Sequence, residues 1–414
     1  MDQAAATSAV ETSPVVELRQ YTLHPGKRDV LMSMFEQRFV AGQEAVGIRL
    51  HGEFTDAANP DRFVWLRGFS SMDERAPALD RFYGGPVWRA SRSEANATIV
   101  DSDNVLLLEP ADGNGFTLAR RMTATMVATI YLLQSPVDSS FVRWFNDRVA
   151  PVMAEAGARP VAELKTLQAK NNFPKLPIRE GENAFVWFAA FDNDEAYARA
   201  VEKFQASNAG REVTREMAAK LASPPQRLVL HPNQQSLDRS REPYRYSLDV
   251  KGDIHDFDFI DGEWTSQQWR LEKRGVGGSD WETFSGKHWC KVLIGGVANV
   301  DTAEFPEKGA AGSTYRNFDK AKQQWSIYWV SSRDGHMDFP GQVGGFDGNV
   351  GLFYGNDVDG GKPVRVVYRW EKQANGHARW EQAFSYDDGK TWETNWVMEM
   401  KKVVSSSRPL QSQQ

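Results

Sequence analysis

Three short stretches place chemically capable side chains at every second position. Glu17, Arg19 and Tyr21 alternate in one, Arg49, His51 and Glu53 in the next, and Trp65 and Arg67 in the third. In an extended chain a period of two turns each set to one side. Val16, Leu18, Leu50, Val64 and Leu66 fill the intervening positions and suit packing under helices. The polar set is then expected on the opposite face, turned into a semi-enclosed space. Arg, Tyr, His and Glu in an aromatic setting are what a site for a small organic acid, phenol or enol requires. His51 is the candidate general acid or base, because an ordinary imidazole titrates near working pH, with Tyr21 and Glu53 as its catalytic partners. Arg19, Arg49 and Arg67 would stabilise an enolate or carboxylate, and Trp65, Tyr83, Trp88 and Trp187 would wall the space. The alternatives are a solvated outer face or a structural salt-bridge network. For His51 the alternative is a hydrogen-bonded structural role.

The elements that must hold these positions follow a β-α-β-β-α-β order. Residues 15–24 alternate as a strand stopped by Pro25-Gly26, and Val30, Leu31, Met34, Phe35 and Phe39 then recur at helical spacing. Residues 48–55 and 62–70 alternate again. A helical stretch broken at Pro77 and at Gly84-Gly85-Pro86 leads to a last strand at 104–109. The order then recurs, with strands at 123–133, 159–169, 184–191 and 226–231 and helices at 139–156 and 194–221. An extra loop rich in Pro and Asn spans 170–182. Phe63-Val64-Trp65 matches Phe185-Val186-Trp187, so the halves read as copies. Trp187, Ala189 and Phe191 are apolar where the first copy is polar, which makes the expected site asymmetric.

The expected fold class is α+β. Two tandem ferredoxin-like units, 15–110 and 120–235, close into one intramolecular α+β barrel, because a bare sheet face must be buried. A polar linker at about 232–243 leads to residues 250–404, which hold 10 of the 14 Trp in short alternating strands between Gly, Asp and Asn turns. That texture predicts an all-β antiparallel barrel. Trp264, Trp269, Trp281 and Trp289 are read as its core or its lining. Residues 1–14 and 405–414 read as a disordered leader and tail.

Composition narrows the function. A net charge of −6 argues against a nucleic-acid partner, which requires a basic stripe. The longest apolar runs fall far short of the roughly 20 residues of a spanning helix, and the N-terminus lacks a basic start and an apolar stretch, so no membrane and a cytoplasmic location are expected. One Cys excludes an intramolecular disulfide or a Cys-rich metal site. There is no dinucleotide fingerprint, Walker sequence, H-E-x-x-H or G-x-S-x-G.

Glu17-Leu18-Arg19-Gln20-Tyr21-Thr22-Leu23 followed by Pro25-Gly26-Lys27, then His51-Gly52, Phe63-Val64-Trp65-Leu66-Arg67 and Pro86-Val87-Trp88, resemble the NIPSNAP family over about 15–108. That resemblance implies the dimeric α+β-barrel superfamily. Its members include cofactor-independent monooxygenases, lactone isomerases, polyketide cyclases and some haem enzymes. Phe257-Asp258-Phe259, Gly262-Glu263-Trp264, Trp325 to Trp329 and Trp380 to Ser385 resemble a bacterial domain similar to the calycins. Calycin barrels commonly hold small hydrophobic ligands, and some relatives bind haem through a His, for which His255, His288, His336 and His377 are available. Ser385 to Trp392 fits the Asp-box turn and is given a structural role.

The resulting expectation is a small-molecule enzyme performing cofactor-independent oxygenation, isomerisation or cyclisation of an aromatic or polyketide-like hydrophobic metabolite. The alternatives are a non-catalytic binder of a hydrophobic ligand or haem, or an interaction module. No metal is expected, and a homodimer is left open.

Overall fold

Both faces of the first strand are buried, and this decides how the first half of the molecule is layered. The computed structural model describes residues 12–403 apart from 120, 279 and 338, so the expected tail and most of the expected leader lie outside the described residues. The chain divides into two units, residues 1–242 and 243–414.

In the first unit β1 (Val15–Leu23) is followed by α1 (Arg28–Met34), a π-helical turn at Phe35–Phe39, and α2 (Val40–Glu44). Then come β2 (Arg49–Asp56), β3 (Asn59–Phe69), α3 (Met72–Tyr83), α4 (Pro86–Asn96) and β4 (Ile99–Pro110). The second half runs β5 (Thr125–Leu132), α5 (Ser139–Trp144), a π-helical turn at Phe145–Val149, α6 (Ala150–Ala156), β6 (Pro160–Thr166) and β7 (Ala184–Phe191). It ends with α7 (Asp194–Ala206), α8 (Asn208–Ala218), β8 (Gln226–Pro232) and α9 (Gln234–Ser240). Local sequence sets the helix starts. Ser71, Asn193 and Ser207 each accept a backbone N–H three residues on, at 3.1, 2.9 and 2.8 Å. Pro77 does not end α3, and the helix runs through it to Tyr83.

The eight strands close into a barrel in the order β1-β3-β2-β8-β5-β7-β6-β4. Two short seams join the halves, residues 54–56 with 230–232 and 108–110 with 164–166. Val16, Leu18, Val64, Leu66, Leu106 and Leu108 pack with Met126, Ile130, Leu164, Val186, Phe188, Leu228 and Leu230, drawn from strands all round the barrel. A cluster that joins every wall of a barrel is its interior, and this one is filled with apolar side chains.

The expected assignment of faces is therefore reversed. Val16, Leu18, Val64 and Leu66 point inward, while Tyr21, Phe63 and Trp65 pack against Leu31, Phe35 and Phe39 of the helical layer. Leu50 does lie on the helical side, because a bulge between Leu50 and Gly52 shifts the β2–β3 register. The polar groups of β1 and β3 face the helices, whereas His51 of β2 meets Phe116, a member of the interior cluster. The physical reason is that the mostly apolar barrel interior offers charged groups no partners, its buried Gln20 being met by Gln226 at 2.9 Å, whereas charged groups on the other face find partners from the helices.

Two further expectations change. The polar linker forms α9, whose Leu237 joins the barrel core. Ser13, expected in a disordered leader, is buried and exchanges backbone hydrogen bonds with Phe116 at 3.0 and 2.9 Å.

The second unit is a closed up-and-down barrel of ten antiparallel strands: β9 (Gly262–Leu271), β10 (Trp281–Leu293), β11 (Ala298–Phe305), β12 (Ala310–Asp319), β13 (Gln324–Ser331), β14 (Gln342–Asp347), β15 (Val350–Asp359), β16 (Lys362–Lys372), β17 (His377–Ser385) and β18 (Glu393–Lys402). Each pairs with the next and β18 closes on β9. Phe257 and Ile260, from the segment before β9, pack into the interior among Trp264, Trp325, Phe346, Phe353 and Trp370. The Asp box is a turn held by its own side chains, with Asp387 accepting from the Thr391 N–H at 2.8 Å and the Thr391 hydroxyl at 2.6 Å. Among the described residues no helix is long and apolar enough to cross a membrane.

Candidate functional site

The polar residues of β1 and β3 meet between the sheet and its helices, centred on Glu17. The ladder sets Glu17 opposite Arg67 and Arg19 opposite Trp65, and the period of two points all four the same way. Glu17 Oε2 accepts from Arg19 Nη1 at 2.6 Å and Arg67 Nε at 2.7 Å. Its Oε1 accepts from Arg75 Nε of α3 at 2.7 Å. All four side chains have 0% exposure. Burial alone would raise the Glu17 pKa, but Arg67, Arg19 and Arg75 together outweigh it and hold the carboxyl well below its ordinary range.

Other groups complete this layer. Arg19 Nε donates to the Tyr21 hydroxyl at 3.1 Å, and Arg67 Nη1 reaches Gln43 Oε1 at 3.2 Å and the Tyr83 hydroxyl at 3.4 Å. Both guanidiniums lie against the Trp65 ring, at 5.4 and 5.1 Å from its centroid. The extra loop of the second half covers Arg75, whose Nη1 donates to Asn171 and Asn172 at 3.1 and 2.8 Å. Phe173 of the same loop stacks on Tyr83, and Trp88 meets Tyr83 edge-on at 4.9 Å. Burial pushes the Tyr21 phenol above its usual value, so it stays protonated.

The structure thus gathers Tyr21, Arg19, Trp65, Arg67, Tyr83 and Trp88, and leaves the other sequence candidates apart. The β2 bulge carries His51 away from Glu53, correcting the expectation that they share a face. The imidazole meets the Ser13 hydroxyl at 2.9 Å and the Phe116 ring at 5.0 Å. Burial, helped by Arg49 and Arg239, pushes its pKa down to about 3, so His51 is neutral at ordinary pH. Glu53 is held by Arg239 Nη2 at 2.6 Å and the Ser236 hydroxyl at 2.8 Å, both from α9. Arg49 is exposed. Trp187 lies in the apolar sheet–helix layer of the second half with Phe145. Sequence reasoning grouped Glu17 with Arg19 and Tyr21 but set them on the face away from the helices, and it missed the central role of Glu17 and its partner Arg75. Arg75 follows an N-cap on a helix, a context that gives no sign of burial.

A second site lies inside the ten-stranded barrel. A cavity of about 90 Å³ is bounded by Trp329, Trp370, Trp380 and Trp396, with His288, Gln268, Gln382, Asp301 and Arg316 also on its wall. Its polar groups are tied to one another. Ser266 Oγ bonds His288 Nε2 at 2.7 Å and accepts from Gln268 Nε2 at 2.7 Å, while Trp396 Nε1 donates to Gln268 Oε1 at 2.8 Å. Arg316 pairs with Asp301 at 2.6 Å and Asn299 at 2.9 Å. Burial pushes His288 down to about 4, leaving a neutral ring. Of the Trp residues named from sequence, Trp264 is in the core, Trp289 is exposed, and Trp269 and Trp281 are half-buried. The lining Trp residues come from later strands, where the alternation gave no means of telling wall from core. Among the described residues no group of three or more His, Cys, Asp and Glu is placed to hold a metal.

Strand order and helix placement define the first unit as an α+β barrel. Within it, residues 16–112 match the NIPSNAP family model. No curated protein matches the chain. Among solved structures, an uncharacterized NIPSNAP domain protein from Burkholderia xenovorans is 20% identical, with 23% of this chain and 93% of that chain covered and a TM-score of 0.22. An anthrone oxidase-like protein is 14% identical, covering 54% and 93%, with a TM-score of 0.37. A mutant chlorite dismutase from Candidatus Nitrospira defluvii is 9% identical, covering 56% and 97%, with a TM-score of 0.34. At these identities and TM-scores the likenesses assign no activity to this chain.

Proposed function

We propose that the protein binds a small, largely apolar metabolite carrying one polar group, inside a calycin-like second barrel. The observation that supports this most directly is the cavity walled by four Trp with a few inward polar groups, the usual make-up of a small-molecule site. Its volume of about 90 Å³ suits a single ring or short chain. Neutral His288 and Gln268 offer hydrogen bonds to a hydroxyl or carbonyl. Haem, raised by the calycin resemblance, fits poorly, because His288 Nε2 is already bonded to Ser266 and the space is small.

The test is quenching of Trp fluorescence on titration with phenol. Saturable quenching is expected, and Ala303→Phe, which fills the cavity from the β11 wall, should abolish it while the fold persists. Unchanged quenching in that variant would move the ligand elsewhere.

A second reading is favoured by the convergence of Tyr21, Arg19 and Arg67. There a phenol and two guanidiniums could handle a proton and an enolate in cofactor-independent oxygenation, isomerisation or cyclisation of an aromatic or polyketide-like metabolite. On this reading the two halves are tandem ferredoxin-like copies of which one carries the site. Tyr21→Phe should then lower turnover roughly 100-fold, with Arg19 still seated on Glu17. Full turnover by that variant removes Tyr21 from the chemistry. Either reading is of a cytoplasmic protein with no nucleic-acid or membrane partner, and leaves a homodimer open.

A further inference from the structure

Arg19, Arg67 and Arg75 carry three positive charges around the single negative charge of Glu17, and every one of these side chains is out of solvent. The formal balance of the group is therefore +2. Tyr21 does not offset it, since burial pushes its phenol above its usual value, and Gln43, Asn171 and Asn172 supply amide oxygens only. A buried net charge without a counter-ion is costly, and buried N–H donors nearly always find an acceptor. Arg75 Nη2 makes no well-directed hydrogen bond but lies 2.6 Å from Glu17 Oε1, and three further donors have neither hydrogen bond nor ion pair: Arg19 Nη2, Arg67 Nη2 and Trp65 Nε1.

These three donors are neighbours. Arg19 is directly across the ladder from Trp65, Arg67 is two residues beyond Trp65 on the same strand and face, and both guanidiniums contact the indole. Arg75, by contrast, is taken up by Glu17 and the two Asn of the loop.

We propose that this layer is a binding site for a small oxyanion, the carboxylate of an organic acid or a free phosphate, accepted by Arg19 Nη2, Arg67 Nη2 and Trp65 Nε1. The entry is the corner made by Tyr83 and Trp88, which are half-buried where the charged groups beneath them are fully covered. Phe173, stacked on Tyr83, is itself buried beside that corner. The site names the group that a first-barrel substrate would carry, but it does not rest on turnover, because occupancy is read from binding alone.

The test is calorimetric titration of the full chain with sodium acetate and with inorganic phosphate, at ionic strength matched by sodium chloride. Trp65 lies in the first unit and Ala303 in the second, so loss of anion binding in Trp65→Phe and loss of phenol binding in Ala303→Phe are separate results. Saturable binding is expected. Saturation by acetate alone identifies organic carboxylates, by phosphate alone free phosphate, and by both a general oxyanion site. Trp65→Phe keeps the ring and removes one donor, and should weaken binding about tenfold. Arg19→Met should abolish it, and if that variant fails to fold, Trp65→Phe still decides. Heat that merely follows ionic strength, or an affinity unchanged in Trp65→Phe, overturns the proposal.

Discussion

Glu17 holds the first sheet–helix layer together, and its loss should be felt more than that of any catalytic candidate. Glu17→Gln would leave three buried guanidiniums facing an amide. Breaking a buried ion group in this way costs about 3–5 kcal/mol, to be read as a lowered denaturation midpoint. The pH dependence has the same origin. Because the folded pKa of Glu17 lies below its ordinary 4.5, its stabilisation is full above that value and is lost as the pH falls below it. His51 acts in the same direction: it folds neutral, with its pKa depressed from 6.5 to about 3, so the unfolded chain takes up its proton first between those values. Glu36, whose buried carboxyl is pushed up to about 7, works the other way between pH 7 and 4.5, so the fall assigned to Glu17 is the one below pH 4.5, and a urea series across that range checks it. If Glu17→Gln keeps the wild-type slope below pH 4.5, the carboxylate is not the group responsible. The alternation of Glu17, Arg19 and Tyr21 was legible in the sequence. Which layer covers that face was not, because both faces of β1 are buried and the apolar one was the natural choice to lie under the helices.

Strands and helices were largely legible from period and punctuation, and the misplacements trace to single residues within them. The bulge between Leu50 and Gly52 is the clearest case. One unpaired residue in β2 puts Leu50 against the helices and Phe54 in the barrel core, although both are even-numbered, and sends His51 away from Glu53. A lone Gly within an alternating run was the available signal. Gly52→Ala provides a test, since a Cβ there would lie 2.5 Å from the Phe54 ring and 3.0 Å from the Met122 methyl. The ring cannot retreat from a filled core, so a loss of about 1–3 kcal/mol is expected from thermal melts. A neutral outcome would mean the bulge can slide. The loop at 170–182 was visible as an insertion, yet only the structure brings its Asn171 and Asn172 to Arg75, nearly 100 residues earlier in the chain.

At the scale of the whole molecule, each unit closes its own sheet and fills its own core, and the candidate sites divide between them: an oxyanion layer in residues 1–242 and an aromatic cavity in residues 243–414. Ligand linkage makes that division measurable. A ligand at 100 times its Kd stabilises the unit that binds it by about 2.7 kcal/mol, a rise of roughly 5–10 °C for units of this size. Scanning calorimetry of the full chain should show two transitions. Phenol should raise one of them, and phosphate or acetate the other. Ala303→Phe should cancel only the phenol shift, and Trp65→Phe should shrink only the anion shift. A single transition raised by both ligands would mean that the two barrels unfold as one cooperative unit. If both ligands moved the same one of two transitions, the two sites would belong to a single barrel, and the assignment of either the cavity or the guanidinium layer would fall.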